Sequence, residues 1–247
     1  MGFFKFKKNK KSNPIEERKY IINDDTPFAI TEAYKGLRTN VTFSRTSEGC
    51  RVIGLTSSFS SEGKSINCLN LAITFAKADS KVLLIDGDLR RPNISRLLDI
   101  KSSPGLSNFL VNLNKLSEVV RKTEYEGLDV ITSGDIPPNP SELLSSARME
   151  DLIGEMSTRY DYIFIDTPPV NMVTDAAILS KLLEGMIFVV REKRVDKDEV
   201  INAISQLEFA GMKVLGFVFN DVSVDEKKYY RRHHYGYSRR KWGELYW

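Results

Sequence analysis

The segment TSSFSSEGKSI, residues 56–66, follows an apolar run and ends in Gly63-Lys64-Ser65. Phosphate-binding loops share this ending. Their backbone N–H groups turn inward, the Lys contacts the outer phosphates, and the hydroxyl binds Mg²⁺. Ser58 stands where the G-x-x-x-x-G-K-[ST] pattern has its first Gly. Taken alone, the loop leaves two alternatives open: a phosphate site, or a Gly-Lys-Ser that merely begins a helix.

Apolar runs and helical patterns alternate along the chain, which predicts an α/β fold with a doubly wound, mostly parallel sheet. Strands of such a sheet are buried on both faces, so we expect them to be continuously apolar. The predicted strands are 51–56, 81–86, 128–134, 161–166, 186–192 and 212–220. The predicted helices are 26–45, 64–78, 141–158, 175–184 and 197–210. Ligands of this architecture bind at the carboxyl ends of the strands, where residues 56–66 lie.

The composition is that of a globular protein without strong net charge. The 247 residues include 41% hydrophobic ones, and 36 Lys and Arg against 33 Asp and Glu leave a net charge of +3. This balance argues against a specific nucleic-acid partner. There are only two Cys, no secretory signal and no apolar run of about 18 residues, which indicates a protein of a reducing compartment such as the cytoplasm.

Charge and pattern divide the chain into three parts. Residues 1–25 form a basic, polar segment, residues 26–222 form the domain with 26–45 as its first helix, and residues 223–247 form a tail that we expect to be mobile. The basic start is typical of a disordered tail or, alternatively, of a segment that rests on anionic lipid.

Aspartates follow two of the predicted strands. Asp86 and Asp88 come at the end of the second strand, and Asp166 comes at the end of the fourth. A carboxylate at the end of a buried strand is costly unless a cation or hydrogen-bond donors meet it. Helix capping explains each Asp taken alone. Together, beside a Lys-Ser loop, they predict a nucleotide site that holds Mg²⁺ with its water shell.

These three segments resemble the Walker A, A′ and B motifs of the bacterial tyrosine kinases of capsule and exopolysaccharide operons. The matching segments are 57–66, the D-x-D-x-R at 86–90, and the hydrophobic-D-T-P-P at 163–169, within a resemblance over roughly 28–247. It implies a P-loop NTPase-like fold, ATP and Mg²⁺ as cofactors, and transfer of phosphate from ATP to tyrosine. The implied function is autophosphorylation that regulates polysaccharide synthesis and export.

The residue types and the resemblance together give a set of candidate site residues. The catalytic candidates are Lys64, Asp86, Asp88 and Asp166. The nucleotide-binding candidates are Ser58, Ser61, Glu62, Gly63, Lys64, Ser65, Ile66 and Asn220, the last placed near the adenine by the resemblance. The Mg²⁺ candidates are Ser65, Asp86 and Asp166. Arg90 is expected to pair with a carboxylate or phosphate, or to form a surface salt bridge, and Asp175 is predicted to be a helix N-cap.

Two further features match the family. The tail carries Tyr229, Tyr230, Tyr235, Tyr237 and Tyr246, the predicted autophosphorylation sites. An aromatic-basic patch for nucleic acid or lipid, or an accident of composition, would give the same pattern. The segment EAYKGLR, residues 32–38, is similar to the E-x-x-R-x-x-R helix that assembles rings. Its residues Glu32, Lys35 and Arg38 share one helix face, although a solvated helix side has the same pattern.

The resemblance also implies partners. They are a ring of identical subunits whose tails phosphorylate their neighbours, a membrane-bound activator protein with a cytoplasmic tail, and other protein substrates of polysaccharide biosynthesis. The chain is therefore expected at the inner face of the membrane, held there by its partner.

Some residues depart from the family pattern. Ser60 and Ser61 replace the Pro and Gly of the usual P-G-x-G-K-S loop, and Lys35 replaces an Arg, which removes a bidentate contact. Partitioning and cell-division-site ATPases share the three motifs but carry a signature lysine five residues before the loop Lys, where this chain has Phe59. Two alternatives remain: a positioning ATPase, which Phe59 disfavours, and a non-catalytic nucleotide sensor, which the loop serines favour.

Overall fold

A seven-stranded sheet forms the centre of the computed structural model, which describes residues 17–44 and 48–222. The strand order is β3-β4-β2-β5-β1-β6-β7, and all neighbours are parallel except β3 and β4. The strands are β1 (Arg51–Ser57), β2 (Val82–Asp86), β3 (Val120–Lys122), β4 (Leu128–Ile131), β5 (Tyr162–Asp166), β6 (Gly185–Arg191) and β7 (Val214–Asn220). The predicted doubly wound, mostly parallel sheet is confirmed. Among the strands only the short β3 was missed, because three residues give no periodic signal. The short helices at 94–98, 106–110 and 116–119 were not predicted either.

Helices connect the strands and cover both faces of the sheet. They are α1 (Phe28–Phe43), α2 (Lys64–Ala76), α3 (Ile94–Leu98), α4 (Leu106–Leu110), α5 (Leu116–Val119), α6 (Pro140–Leu144), α7 (Ala147–Ser157), α8 (Asp175–Ile178) and α9 (Lys197–Phe209), with a 3₁₀ turn at Leu179–Leu182. None of the helices in 17–44 and 48–222 is long and apolar enough to cross a membrane.

The sequence predicted one helix over 141–158, and this prediction is wrong. The chain breaks between α6 and α7, where the Ser146 hydroxyl accepts a hydrogen bond from the backbone N–H of Met149 and begins a new helix. The segment predicted as one helix at 175–184 is likewise divided into α8 and the 3₁₀ turn.

The core lies on both faces of the sheet, which explains the continuous apolar runs. Successive residues of β2 belong to opposite sides: Leu84 contacts the cluster beneath α2, whereas Leu83 contacts the cluster beneath α7. The last strand does not follow the expected pattern of full burial. In β7, Phe217 is 46% exposed and Phe219 is 68% exposed, because β7 is the outermost strand and is covered incompletely.

The first helix, α1, is fixed to the sheet by a buried cation. The Arg51 guanidinium donates to the carbonyl of Val41 near the end of α1 and pairs with Glu184 at 2.7 Å. The segment before α1 also contacts the domain, since Ile21 and Ile22 are buried. Residues 1–16 and the tail 223–247 lie outside the described ranges.

Candidate active site

The phosphate loop connects β1 to α2 and ends at Gly63, the residue before α2. This residue has φ +95°, a left-handed conformation that favours glycine. A Cβ added to Gly63 would lie 2.0 Å from the side-chain nitrogen of Asn220. The backbone angle therefore favours glycine here, and any larger residue would also have to displace the Asn220 amide.

Lys64 meets two of the predicted aspartates at the carboxyl ends of the strands. Its Nζ lies 2.9 Å from Asp88 Oδ2, 3.3 Å from Asp166 Oδ1 and 3.4 Å from Ser65 Oγ. All four side chains are buried or nearly so. The pairing of β2 with β5 places Asp86 directly opposite Asp166. The structure thus brings the predicted lysine, hydroxyl and aspartates into one site.

Asp86 is the least satisfied of the aspartates. One carboxylate oxygen, Oδ2, accepts the backbone N–H groups of Asn93 and Ile94 at 3.2 and 3.0 Å. The other oxygen, Oδ1, is buried without a hydrogen-bond partner among the residues that the structure describes. Burial, followed by repulsion from Asp166, raises the pKa of Asp86 to about 8.

Opposing effects act on the ion pair between Lys64 and Asp166. Burial favours the neutral amine, but the charges of Asp166 and Asp88 outweigh it, so the pKa of Lys64 is raised. Burial raises the pKa of Asp166, although Lys64 and a hydrogen bond from Ser65 limit the rise. Lys64 is therefore a permanent cation that holds its neighbours in place.

The oxygen atoms at this site suit Mg²⁺. Within 17–44 and 48–222, no three His, Cys, Asp or Glu side chains are grouped closely enough to hold a metal by themselves. Mg²⁺ does not need such a group, because it keeps several waters and binds one or two carboxylates together with substrate phosphates. The unpartnered Asp86 Oδ1 and the nearby Ser65 hydroxyl are hard oxygen ligands of this kind.

The serines of the loop differ in their conformations. Ser58 does not have a positive φ, so it occupies the position of the missing Gly in an ordinary conformation, with its hydroxyl buried and unpartnered among the described residues. Ser61 has φ +69°, the left-handed conformation that glycine adopts most easily. The family loop has Gly at this position, so the substitution strains the backbone.

Glu62 and Asn220 support the loop rather than face its open side. The Glu62 carboxylate is buried and accepts the backbone N–H groups of Phe59 at 2.6 Å and Arg191 at 3.3 Å. Burial raises the pKa of Glu62. The Asn220 amide donates to the carbonyl of Glu62 at 2.8 Å. Ile66 is partly buried against the core below α2.

The prediction that Asp175 is a helix N-cap is wrong. Thr174 occupies the cap position, and Asp175 is the first residue of α8. Its buried carboxylate pairs with Arg90 at 2.8 Å and accepts the Ser141 hydroxyl at 2.7 Å. The Arg90–Asp175 contact joins the loop after β2 to the start of α8. The sequence indicated it only in part, through the expectation that Arg90 pairs with a carboxylate or phosphate.

The predicted assembly residues lie on α1. Lys35 pairs with Glu32 at 2.8 Å on the exposed side, whereas the Arg38 guanidinium donates to the Thr74 carbonyl of α2 at 3.1 Å. The predicted tyrosine sites, Tyr229 to Tyr246, lie outside the described residues.

A Gly-Lys-Ser loop whose lysine meets strand-end aspartates on this sheet defines a nucleotide-binding P-loop protein. Comparison with family models agrees, since residues 50–192 match the AAA domain. The fold is also that of the septum site-determining protein MinD of Pyrococcus horikoshii, solved with Mg-ADP. That structure has a TM-score of 0.60 and 24% identity over 70% of this chain and 71% of MinD, a likeness in fold alone.

Closer relatives identify the family. The putative tyrosine-protein kinase CapB of Staphylococcus aureus is 38% identical over 85% of this chain and 92% of its own length. Tyrosine-protein kinase YwqD of Bacillus subtilis is 35% identical over 90% and 91%. Among solved structures, the kinase domain of the Escherichia coli tyrosine kinase ETK has a TM-score of 0.74 and 34% identity, covering 78% of each chain. The chain belongs to the bacterial tyrosine kinases of capsule and exopolysaccharide synthesis.

Proposed function

We propose that this chain transfers the γ-phosphoryl group of ATP to tyrosines of its own C-terminal segment, and thereby regulates polysaccharide synthesis and export. One observation carries the proposal: Lys64 and the strand-end aspartates Asp86, Asp88 and Asp166 meet at a single buried site beside the phosphate loop. Phosphoryl transfer requires mainly positioning and neutralisation of charge, and these groups supply both.

Each group of the site has a distinct role in this proposal. Lys64 contacts the β and γ phosphates, and Ser65 and Asp86 are ligands of Mg²⁺. Asp166 holds a metal-bound water, and Asp88 keeps Lys64 in place through their 2.9 Å contact. When bound, Mg²⁺ offsets the negative charge of the phosphates and of the buried carboxylates.

The reaction is an in-line displacement at the γ-phosphorus. The phenolic oxygen of a tyrosine forms the new bond to phosphorus while the bond to the β-γ bridging oxygen breaks, and ADP leaves. Tyrosine has a pKa near 10 and keeps its proton at neutral pH, so a carboxylate must receive that proton. Asp86 is the candidate acceptor, because it lies opposite Asp166 at the strand ends and its Oδ1 has no hydrogen-bond partner among the described residues.

The position of the tail favours its tyrosines as substrates. The tail follows Val222, two residues after Asn220, and Asn220 contacts the phosphate loop. The chain therefore leaves the domain beside the site. We propose that Tyr229, Tyr230, Tyr235, Tyr237 and Tyr246 are phosphorylated in trans, within an assembly of identical subunits.

We also propose that α1 contributes to this assembly and that a membrane-bound activator protein completes the active state. The Glu32–Lys35 pair on α1 is half-exposed, so a neighbouring subunit can reach it. Arg38 instead contacts α2 and holds α1 to the domain. Other proteins of polysaccharide biosynthesis are the further substrates.

The two competing functions differ from the kinase in what happens to ATP. A positioning ATPase hydrolyses ATP without making phosphotyrosine, and the signature lysine it requires is replaced by Phe59, whose N–H is bound by Glu62. A nucleotide sensor binds ATP and transfers nothing.

The test is to incubate the purified full chain with an activator tail, Mg²⁺ and ATP, and to map phosphotyrosine by mass spectrometry. We expect phosphate on residues 229–246 and none in Lys64→Met. Mixing Lys64→Met with a chain whose five tail tyrosines are changed to Phe distinguishes transfer within one subunit from transfer between subunits. Phosphate on the Lys64→Met chain demonstrates transfer in trans. Hydrolysis of ATP without phosphotyrosine would instead establish the positioning ATPase.

A further inference from the structure

Three consecutive carbonyl groups of the phosphate loop are held from outside by side chains of three separate elements. Two of the side chains lie at or next to the ends of β6 and β7, and the third lies in the first turn of α2. The hydrogen bonds run from Arg191 Nη1 to Ser61 O at 3.1 Å, from Asn220 Nδ2 to Glu62 O at 2.8 Å, and from Asn67 Nδ2 to Gly63 O at 2.9 Å. The Gly63 carbonyl also accepts the backbone N–H of Asn67 at 3.0 Å, as the first hydrogen bond of α2.

A held carbonyl also fixes the N–H of the next residue. The carbonyl of residue i and the N–H of residue i+1 belong to one planar peptide unit, and in a trans peptide they point in opposite directions. The peptides from Ser61 to Lys64 are trans. Because the carbonyls of Ser61, Glu62 and Gly63 face outward, the N–H groups of Glu62, Gly63 and Lys64 face the other side, where the loop curves around its interior.

These three N–H groups are available for a ligand. Among the residues that the structure describes, none accepts a hydrogen bond from the N–H of Glu62, Gly63 or Lys64. The left-handed conformations of Ser61 and Gly63 on either side of Glu62 give the concave backbone that binds anions in other proteins. A row of convergent, unpaired donors is what a phosphate group requires.

The outer side chains are themselves held in place. Asp221 accepts two hydrogen bonds from the Arg191 guanidinium, at 2.9 and 2.7 Å. Asn67 is 3% exposed, and its Oδ1 accepts the hydroxyl of Tyr34 at 2.8 Å. Tyr34 lies on α1 between Glu32 and Lys35, and its hydroxyl also accepts the amide of Asn70 at 3.2 Å. The predicted assembly helix is thus two hydrogen bonds away from the Gly63 carbonyl.

We propose that Arg191, Asn220 and Asn67 are positioning residues for phosphate binding, each of which aims one loop N–H at the phosphates. Tyr34 orients the Asn67 amide and so connects α1 to the affinity for nucleotide. This inference rests on the proposed function, because it takes the loop as the site of the ATP phosphates. It predicts a one-to-one correspondence: Arg191 with the N–H of Glu62, Asn220 with that of Gly63, and Asn67 with that of Lys64.

The test uses the full ¹⁵N-labelled chain titrated with Mg-ADP. In the wild type we expect the amide protons of Glu62, Gly63 and Lys64 to move downfield as they bind phosphate. In Arg191→Ala, Asn220→Ala and Asn67→Ala, the shift is reduced mainly at the corresponding amide. Each variant also weakens ADP binding about tenfold, the loss expected when one hydrogen bond to a charged group is weakened.

Tyr34→Phe tests the connection to α1. It removes one hydroxyl, so we expect ADP to bind about threefold more weakly, with the shift reduced at Lys64 alone. The matched control is Tyr160→Phe, which deletes a hydroxyl bound to Asp129 at 2.7 Å. That contact lies away from the phosphate loop, so we expect Tyr160→Phe to bind ADP with wild-type affinity. Asn114→Ala, which removes an exposed amide contact with Glu118, controls for the asparagine variants.

The outcomes separate this inference from the proposed function. If the wild type binds Mg-ADP and every variant keeps wild-type affinity and amide shifts, the positioning role is wrong and the nucleotide site stands. If every variant reduces all three shifts equally, the side chains support the loop in general and aim no single N–H, which also overturns the inference. If the wild type shows no shift with Mg-ADP, the proposed function fails together with it. Should Asn67→Ala not fold, the partly exposed Arg191 and Asn220 still decide between these results.

Discussion

The two sides of the phosphate loop are built in different ways. The inner side carries buried charges from the ends of β2 and β5, each within a few residues of a recognisable motif. The outer side carries three side chains that come from α2, β6 and β7, up to 158 residues away from the carbonyls they bind. Short motifs therefore supply the reacting charges, whereas two of the three side chains that hold the loop backbone, Arg191 and Asn220, come from distant parts of the chain.

The two sides also differ in energetic cost. Burying Asp86 and Asp166 beside each other disfavours folding, and Lys64 offsets this only in part, as the raised pKa values of both aspartates indicate. The outer contacts of Asn67 and Asn220 are neutral hydrogen bonds that satisfy carbonyl groups without burying charge. Substitutions on the inner side should therefore change catalysis most, and those on the outer side should change affinity.

The largest expected effect is that of Lys64→Met on the inner side. Loss of the ammonium group removes the cation that binds the transferred phosphates, so we expect phosphotyrosine formation to fall at least about 1000-fold. The rate of phosphate incorporation from labelled ATP measures it. Lys77→Met, which changes a lysine near the other end of α2, should retain the wild-type rate. A Lys64→Met rate within tenfold of wild type would contradict the role of the inner side.

Gly63→Ala changes a loop residue that lies between the inner and the outer side of the phosphate loop. The added Cβ would lie 2.0 Å from the Asn220 amide at a backbone φ of +95°, so we expect nucleotide binding to be lost and the protein to be destabilised by about 1–3 kcal/mol. Thermal unfolding and ADP titration measure the two effects. Gly154→Ala in α7 is the matched control, since a Cβ at this position meets nothing within 4 Å. We expect this substitution to stabilise the helix by about 1 kcal/mol.

The cost of the buried carboxylates predicts a pH dependence. Because the pKa of Asp86 is about 8 in the folded protein and near 4 in the unfolded chain, the folded state binds more protons between these values. Stability of the nucleotide-free, metal-free protein should therefore fall as pH rises from about 4 to about 8. In Asp86→Asn this fall is smaller, and at pH 8 its melting temperature exceeds that of wild type by several degrees. Identical pH profiles for the two proteins would show that Asp86 carries no such cost.

The smallest expected effect concerns the strained serine of the loop. Ser61 has φ +69°, so Ser61→Gly should relieve strain and raise the free energy of unfolding by about 1 kcal/mol. Chemical denaturation measures this difference. A serine-to-glycine change at the ordinary backbone position Ser60 should lower stability slightly. If both variants lose stability, the loop is not strained at Ser61.

The inner side could be predicted because its residues follow apolar strands within short segments. Parallel strands bring their carboxyl ends to one edge of the sheet, so the strand pattern alone predicts that Asp86 and Asp166 meet. The outer side could not be predicted in this way. Tyr34 and Asn67 lie 33 residues apart, and helical periodicity does not show which polar side chain turns toward a neighbouring helix.

Other predictions were wrong for the same reason, because local sequence pattern does not show which residues meet in the folded chain. The contact between Arg90 and Asp175 joins residues 85 positions apart, so local pattern assigned Asp175 to a cap. The break between α6 and α7 depends on the side chain of Ser146 in a segment whose periodicity continues through it. The exposure of Phe217 and Phe219 follows from the place of β7 at the sheet edge, and the strand's own residues do not reveal that place.

A crystal structure of the chain with Mg²⁺ and a non-hydrolysable ATP analogue would show directly whether Lys64, Ser65 and the strand-end aspartates form the nucleotide site. We expect Mg²⁺ about 2.1 Å from oxygen atoms of Ser65 and of Asp86 or its bound water, with phosphate oxygens on the N–H groups of Glu62, Gly63 and Lys64. A triphosphate bound at another face of the molecule, with Lys64 still paired to Asp88 and Asp166, would contradict this expectation.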